Sequence, residues 1–142
     1  MSHPTLELKK AYLALRHALD RTVRRFNLTS AQFDVLQLLM HNAEGLQHRE
    51  LQRRLAIASP TLTNIVDILE REGHVERRAL ATDARTKTIH LSAKARLLCA
   101  SDEFCEAGDA LVEQMFAGFS QDERQFFTTM LKKVERNLAS VC

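Results

Sequence analysis

The chain has 142 residues, which is enough for one domain with a hydrophobic core. Hydrophobic residues make up 45% of it and charged residues 27%, with only 4 Gly and 2 Pro, so the composition excludes a disordered, collagen-like or proline-rich protein. The formal net charge is +2, and residues 29–91 hold eight basic and eight acidic side chains. The total charge therefore favours no class of partner.

Cysteine usage and hydropathy indicate the compartment. Cys99, Cys105 and Cys142 are odd in number and lack CxxC spacing, which is typical neither of a disulfide framework nor of a zinc site. The apolar runs are too short for a signal peptide or for a membrane span. We therefore expect a soluble, cytoplasmic protein that has no membrane partner.

Helical patterns fill the chain before Gly45. Apolar residues at helical spacing predict a first helix from about Leu6 to Phe26. Thr29 and Gln32 have the spacing of a capping box, which predicts a second helix that begins at Thr29.

Two further helices are predicted in the middle of the chain. Residues 47–56 form a short one, and residues 59–72 form one with clear boundary signals. Ser59 is a favourable N-cap, Pro60 suits the first helical position and Gly73 ends the helix. The apolar residues of this helix recur at i, i+3, i+4 and i+7 and define its buried side: Leu62, Ile65, Val66 and Leu69.

Beyond Gly73 the apolar residues alternate, which is the period of a strand. Residues 75–79 and 87–91 are predicted to form two strands joined by the loop 80–86. The loop contains no Asn-Gly or Asp-Gly pair, so a long-looped hairpin is expected rather than a tight one.

Two helices are predicted to complete the chain. Ser92 is expected to cap a long helix that reaches about Gly118, and Ser120 opens a last helix with a second capping box. Cys99 and Cys105 would then lie on one helix with their Cα atoms about 9 Å apart, which is too far for a disulfide within the chain. Buried structural thiols and a bridge between two subunits both remain open.

The central unit, residues 30–91, has the order of elements of a helix-turn-helix followed by a hairpin. The second helix of such a unit contacts base edges in the major groove. On the 59–72 helix, small polar side chains and an arginine lie opposite the apolar side, where they suit either base edges or solvent. These residues are Pro60, Thr63, Asn64, Asp67 and Arg71, with Thr61 at the margin.

Basic residues also mark the hairpin and the short helix before it. A long loop that carries arginine suits the narrow, negative minor groove, although an ordinary solvated hairpin is the alternative. Asp83 is placed to orient Arg85 through a charge-assisted hydrogen bond. The basic residues that can contact DNA are Arg77, Arg78, Arg85 and Lys87 of the hairpin, and Arg49, Arg53 and Arg54 of the short helix.

The stretch from Leu51 to Ser92 resembles the DNA-binding core of the MarR-type winged-helix transcriptional regulators. Four motifs occur in the family's order: S-P-T-x-T before the recognition helix, L-E-x-x-G at its end, V-E-R opening the wing and D-x-R…L-S closing it. The flanking helices match as well, so the resemblance covers nearly the whole chain. Ile68 stands where the family often has a basic residue, and Gln47 stands where Ser or Thr is usual.

The resemblance implies a mainly α fold with a small two- or three-stranded antiparallel wing, in which a winged helix-turn-helix core is flanked by N- and C-terminal dimerisation helices. Within a single domain, 1–142, it makes residues 30–91 the DNA-binding lobe and residues 5–28 and 92–142 the dimerisation region. The implied partners are a second copy of the chain and a double-stranded, pseudo-palindromic operator. By resemblance, the base-reading positions are Ser59, Pro60, Thr61, Thr63 and Asn64, and the wing-tip motif is Asp83 with Arg85.

The resemblance also implies a small aromatic or anionic effector that binds between the dimerisation helices and the lobe. Aromatic walls with a few polar groups would suit such a ligand, although these side chains could equally pack the core. The candidates are Tyr12, Arg16, His17, Phe33, Gln37, Met40, His41 and Phe104.

Other chemistry has little support in the sequence. The six histidines form no i, i+4 pair, so no metal site is expected, and no phosphate loop or nucleophile motif indicates an enzyme or a cofactor. The expected function is a DNA-binding regulator, a repressor that an effector releases. The alternatives are a redox-responsive regulator that uses Cys99 and Cys105 between subunits, and a helical protein-interaction module without DNA binding.

Overall fold

The computed structural model describes residues 2–139. Helices dominate this part of the chain, and three short strands accompany them. In chain order the elements are α1 (Pro4–Val23), a 3-10 turn (Arg24–Phe26), α2 (Ser30–Met40), β1 (Leu46–Gln47), α3 (His48–Leu55), α4 (Ser59–Arg71), β2 (Val75–Ala79), β3 (Lys87–Leu91), α5 (Ala93–Cys99), α6 (Asp102–Met115) and α7 (Gln121–Ala139). The predicted winged helix-turn-helix class is confirmed.

The chain divides into two compact units, Met1–Gly108 and Asp109–Cys142. The first unit holds one hydrophobic core, to which the predicted buried side of α4 contributes. Its largest fully buried side chains are Leu36, Leu51, Leu62, Leu69, Ile89, Val35 and Val66. No helix among residues 2–139 combines the length and the apolar character that crossing a membrane requires.

The strands form one antiparallel sheet in the order β1-β3-β2. On β3, Ile89 lies opposite Leu46 of β1 on one side and Arg77 of β2 on the other. The hairpin between β2 and β3 has the expected long loop, which begins with a hydrogen bond from Leu80 N to Thr86 O at 2.9 Å. The wing therefore has three strands, the larger of the two numbers expected.

Local capping signals located several helix starts correctly. Thr29 and Gln32 form the predicted capping box at α2, and Ser120 forms one with Glu123 at α7. Ser92 caps α5 by accepting a hydrogen bond from Ala95 N at 3.0 Å. These contacts link residues three apart in the chain, so they can be predicted from the local sequence.

Ser59 is not the N-cap of α4, and that prediction was wrong. Ala58 takes the N-cap position, and Ser59 is the first helical residue, with Pro60 second. The hydroxyl of Ser59 lies 3.2 Å from Nε2 of His48 in the preceding helix, so it pairs with a neighbouring helix and not with its own backbone.

The single long helix predicted from Ser92 to Gly118 was also wrong, because the chain breaks it at residues 100–101 into α5 and α6. Ser101 supplies the physical reason. Its hydroxyl donates to Leu98 O at 2.7 Å and accepts from Phe104 N at 3.2 Å, which closes one helix and caps the next. Cys99 and Cys105 consequently lie on two helices rather than one.

Candidate nucleic-acid interface

Helix α4 presents a polar surface opposite its buried side. Leu62, Val66 and Leu69 are fully buried, which fixes the rotation of the helix about its axis. All the recognition-helix candidates are exposed: Ser59, Pro60, Thr61, Thr63, Asn64 and Arg71. Four of these, from Pro60 to Asn64, crowd the first two turns, where a helix that enters a groove end-on meets the bases.

The turn before α4 fixes where that helix begins. α3 ends at Leu55 and is followed by Ala56, which adopts a left-handed conformation with φ of 54°. Such a conformation is uncommon for a residue with a side chain. The contact between Ser59 and His48 then links the start of α4 to the start of α3.

The tip of the wing is organised by Asp83. Its carboxylate accepts hydrogen bonds from Arg85 N and from Thr86 Oγ1, both at 3.0 Å. The guanidinium Nε of Arg85 lies 3.9 Å from Asp83 Oδ1, so Asp83 shapes the loop through the backbone more than through the charge pair. The Arg85 side chain is 97% exposed. It therefore extends from an ordered loop into the surroundings.

The strands of the wing separate their arginines onto two faces, because side chains alternate along a strand. Arg77 turns toward α4, where its guanidinium pairs with Asp67 (2.7 Å) and with Glu70. Arg78 lies on the other face, 3.6 Å from Glu76. Lys87 at the start of β3 is exposed.

The basic residues of α3 surround one carboxylate. Glu50 accepts hydrogen bonds from Arg53 and from Arg54 Nε, the latter at 3.2 Å. These bonds hold the pKa of Glu50 below its usual value. Arg49 is exposed on the same helix. The three arginines and one glutamate leave this helix with an excess of positive charge.

The effector candidates lie on three helices, α1, α2 and α6, and at the end of α2. Arg16 of α1 forms an ion pair with Asp34 of α2, and its guanidinium lies 5.9 Å from the Tyr12 ring centre. Burial raises the pKa of Asp34 against the opposing influence of Arg16. Phe33 and Phe104 pack 5.9 Å apart as part of the core surroundings.

The remaining candidates lie near the C-terminal end of α2 or on exposed helix surface. His41 Nδ1 is 2.9 Å from Gln37 O, and His17 and Gln37 are exposed.

A pocket of about 290 Å³ opens where the end of α2 meets β3 and α5. Its apolar walls surround one guanidinium and one thiol. Of the eight effector candidates, Met40 alone lines it. The lining residues are Leu39, Met40, Asn42, Ala43, Leu91, Arg96, Cys99 and Ala100. Arg96 is not among the effector candidates drawn from the sequence, because three separate elements must meet before this pocket exists.

The cysteine and histidine side chains form no metal centre within residues 2–139, where no three His, Cys, Asp or Glu groups come together. Cys99 is half-buried, and burial raises the pKa of its thiol, which lowers its reactivity. Cys105 is exposed, with Sγ 3.5 Å from Cys99 O. Cys142 lies outside the described residues.

Comparison with known proteins agrees with this geometry. The MarR family model matches residues 28–87. The regulator MhqR of Bacillus subtilis is 28% identical over 130 residues, which cover 92% of this chain and 88% of MhqR. The crystal structure of the transcriptional regulator PA3341 superposes with a TM-score of 0.85 at 28% identity, covering 97% of this chain and 99% of that one.

Another solved structure, a mutant of Escherichia coli MarR complexed with operator DNA, superposes with a TM-score of 0.79 at 24% identity. The superposition covers 92% of this chain and 91% of the E. coli MarR chain. The recognition helix beside a wing already defines the winged helix-turn-helix class. The family match and the related regulators agree with that class, and the chain is similar to MarR-type winged-helix transcriptional regulators.

Proposed function

We propose that this regulator represses transcription in the cytoplasm by binding a pseudo-palindromic operator as a homodimer. The observation that carries the proposal is the exposed polar start of α4 beside a wing whose tip projects Arg85. The helix suits major-groove base edges, and the arginine suits the adjacent minor groove. In this proposal the lobe 30–91 contacts DNA. The solved complex of E. coli MarR with operator DNA has the same fold, which supports the proposal.

Exposed apolar surface in each of the two units supports the homodimer. On α1, Leu6, Leu8, Tyr12 and Leu13 are about half exposed or more. On α7, Phe126 is 65% exposed and Leu138 is 64% exposed. Apolar surface of this kind on helices is typical of an interface with another chain. We therefore assign residues 5–28 and 92–142 to contacts with a second copy.

An effector that releases the repressor completes the proposal. The pocket at the end of α2 has apolar walls and a single guanidinium, Arg96, which suits a small aromatic acid. Leu91 ends the wing strand β3 and also lines the pocket, so a ligand there would contact an element of the DNA-binding lobe. An effector that weakens operator binding must itself bind more weakly to the DNA complex by the same factor.

The test of DNA binding is retention on duplex DNA in a salt series. We expect the protein to select a two-fold symmetric sequence from a pool of random duplexes, because a dimer presents two recognition helices about one helical turn apart. Affinity for the selected duplex should fall steeply as KCl rises, because phosphate contacts release counterions. No retention on any duplex at low salt would leave the protein-interaction module as the better reading.

Replacing Arg85 by alanine tests the wing. Affinity for the selected duplex should fall by about 5- to 150-fold, which corresponds to 1–3 kcal/mol for an arginine that contacts DNA. The dimer should persist, since Arg85 is 97% exposed at a loop tip. A gel-shift titration measures the affinity, and sedimentation measures the dimer.

Arg21→Ala is the matched control, because it removes an exposed arginine from α1, outside the lobe that is proposed to contact DNA. Since α1 is assigned to the dimer, sedimentation must show that this variant is still a dimer. It should bind as the wild type does. Equal affinities of the Arg85 variant and the control would show that the wing tip does not touch DNA.

A further inference from the structure

Arg77 belongs to the basic residues expected to contact DNA, yet its surroundings differ from those of its neighbours. Its guanidinium donates to Oδ1 of Asp67 at 2.7 Å through one nitrogen and to Oε1 of Glu70 through the other. The side chain is 28% exposed, against 47% for Arg78 and 97% for Arg85. Both of its terminal nitrogens are therefore occupied by carboxylates of the recognition helix.

The backbone explains why these three residues meet. Asp67 and Glu70 are three apart on α4, so their side chains lie on adjacent turns of one helix face. Residues 72–74 turn the chain back, with Gly73 at φ 81° and a hydrogen bond from His74 N to Leu69 O at 2.8 Å. β2 then starts beside the end of α4, and its alternation places Arg77 on the same face as the buried Val75.

We infer that Arg77 is a positioning residue that fixes the wing against the recognition helix, so that both meet a duplex in one geometry. We call Arg77, Asp67 and Glu70 the Arg77 clamp. This inference rests on the proposed DNA-binding function and adds a division of labour to it. Arg78 and Arg85 contact phosphate or the minor groove, and Arg77 holds the wing in a fixed position relative to α4. A planar guanidinium suits this role because its fork can engage two carboxylates together.

The clamp and a direct phosphate contact by Arg77 predict opposite effects on DNA binding when Asp67 and Glu70 are replaced. If Arg77 touched phosphate, Asp67 and Glu70 would merely repel DNA, and their removal would raise affinity for every duplex. If they anchor the wing, their removal loosens its placement and lowers the preference for the operator over other sequences. The decisive quantity is the ratio of the affinity for the selected duplex to that for a scrambled duplex of the same composition.

The experiment is a double-mutant cycle on that ratio with Arg77→Met, the pair Asp67→Asn and Glu70→Gln, and all three together. We expect Arg77→Met and the acid pair each to lower the ratio by about fivefold or more, and the triple variant to be no worse than either. Arg77→Lys should recover only part of the ratio, because an ammonium is a point charge. If Arg77→Met does not fold, Arg77→Lys takes its place in the cycle.

Arg78→Met is the matched control, since it removes the next arginine from the opposite face of the same strand. It should weaken binding to both duplexes alike and reduce the salt slope by about 0.9, as the loss of one phosphate contact does. The inference is overturned if Arg77→Met behaves as Arg78→Met does, or if the effects of Arg77→Met and of the acid pair simply add. Failure of the wild type to bind any duplex would instead overturn the proposed function, and the clamp with it.

Discussion

His90 lies on β3 of the wing and is buried. Its Nε2 is 2.7 Å from Thr88 Oγ1, and its Nδ1 has no hydrogen-bond partner among the described residues. Burial is the main cause that lowers the pKa of His90 below its ordinary 6.5, and the nearby Arg78 and Arg96 act in the same direction. Burial and Lys94 lower the pKa of His74 in the same way. The folded protein therefore favours both rings in the neutral form.

The lowered pKa values predict that acid destabilises the fold. The unfolded chain binds protons at these histidines below about pH 6.5, where the folded chain still resists them. The free energy of unfolding should therefore fall as the pH drops through 6.5 and stop changing, for these groups, below their folded pKa values. Urea unfolding followed by circular dichroism between pH 7.5 and 5.5 measures it.

His90→Gln isolates the contribution of one ring, since glutamine retains a hydrogen-bonding group and does not titrate. Its stability should vary less with pH over the same range. An unchanged pH dependence in this variant would show that other groups cause the effect.

At the scale of elements, the connection between α2 and β1 depends on Gly45. Its φ is +82°, and a Cβ atom there would lie 2.5 Å from Cε1 of His90. Gly45 N also donates to Asn42 O at 2.9 Å, which closes the turn after α2. The glycine thus lets the chain pass directly over the His90 ring before β1 pairs with β3.

Gly45→Ala should destabilise the protein more than Gly73→Ala. Both residues have left-handed φ values, so each variant pays about 1–2 kcal/mol for its backbone conformation. At Gly73 the nearest side-chain atoms lie 3.7 Å from an added Cβ, which is ordinary contact. The difference between the two variants in the free energy of unfolding should be about 1–3 kcal/mol, the usual cost of overpacking. Equal losses of unfolding free energy in the two variants would mean that the approach of His90 does not require glycine at position 45.

Sequence patterns located most elements, and each failure has an identifiable physical cause. The capping boxes at Thr29 and Ser120 and the strands of the wing were predicted correctly. The break at Ser101 was missed because apolar residues continue at helical spacing across it. Ser59 was misassigned because its hydroxyl pairs with His48, eleven residues earlier in the chain. Rules based on neighbouring residues cannot predict that contact.

For the whole molecule, the net charge of +2 conceals an uneven surface. In the lobe, much of the negative charge is engaged by arginines of the same chain: Glu50 with Arg53 and Arg54, and Asp67 and Glu70 with Arg77. Arg49, Arg71 and Lys87 are exposed, and the structure gives them no carboxylate partner among the described residues. Arg85 at the wing tip is exposed as well. These side chains are therefore available to contact the phosphates of the proposed duplex.

The proposed dimer can be tested on α7. Phe126→Asp places a charge on its most exposed aromatic side chain and should convert the dimer to a monomer, because the charge would be buried without a partner. Affinity for the selected duplex should fall with it, since a monomer contacts one half-site. Sedimentation equilibrium measures the mass.

Gln125→Asp is the control for that change. It introduces the same charge at the adjacent exposed position of α7. It should remain a dimer with wild-type affinity. A dimeric Phe126→Asp variant would place the subunit interface elsewhere.

The amino-acid sequence predicted most of the helices, the two longer strands of the wing and the motifs that resemble the MarR type, but not β1 or the break between α5 and α6. These features depend on residues within about four positions of one another or on the period of the apolar pattern. The roles of several polar residues, by contrast, depend on tertiary contacts. Arg77 and Arg78 are adjacent arginines of one strand, and the sequence does not distinguish them. Arg77 nevertheless pairs with Asp67 and Glu70, because residues 72–74 reverse the chain direction. A side chain's partners depend on which distant elements pack beside it, and burial of the core sets that packing.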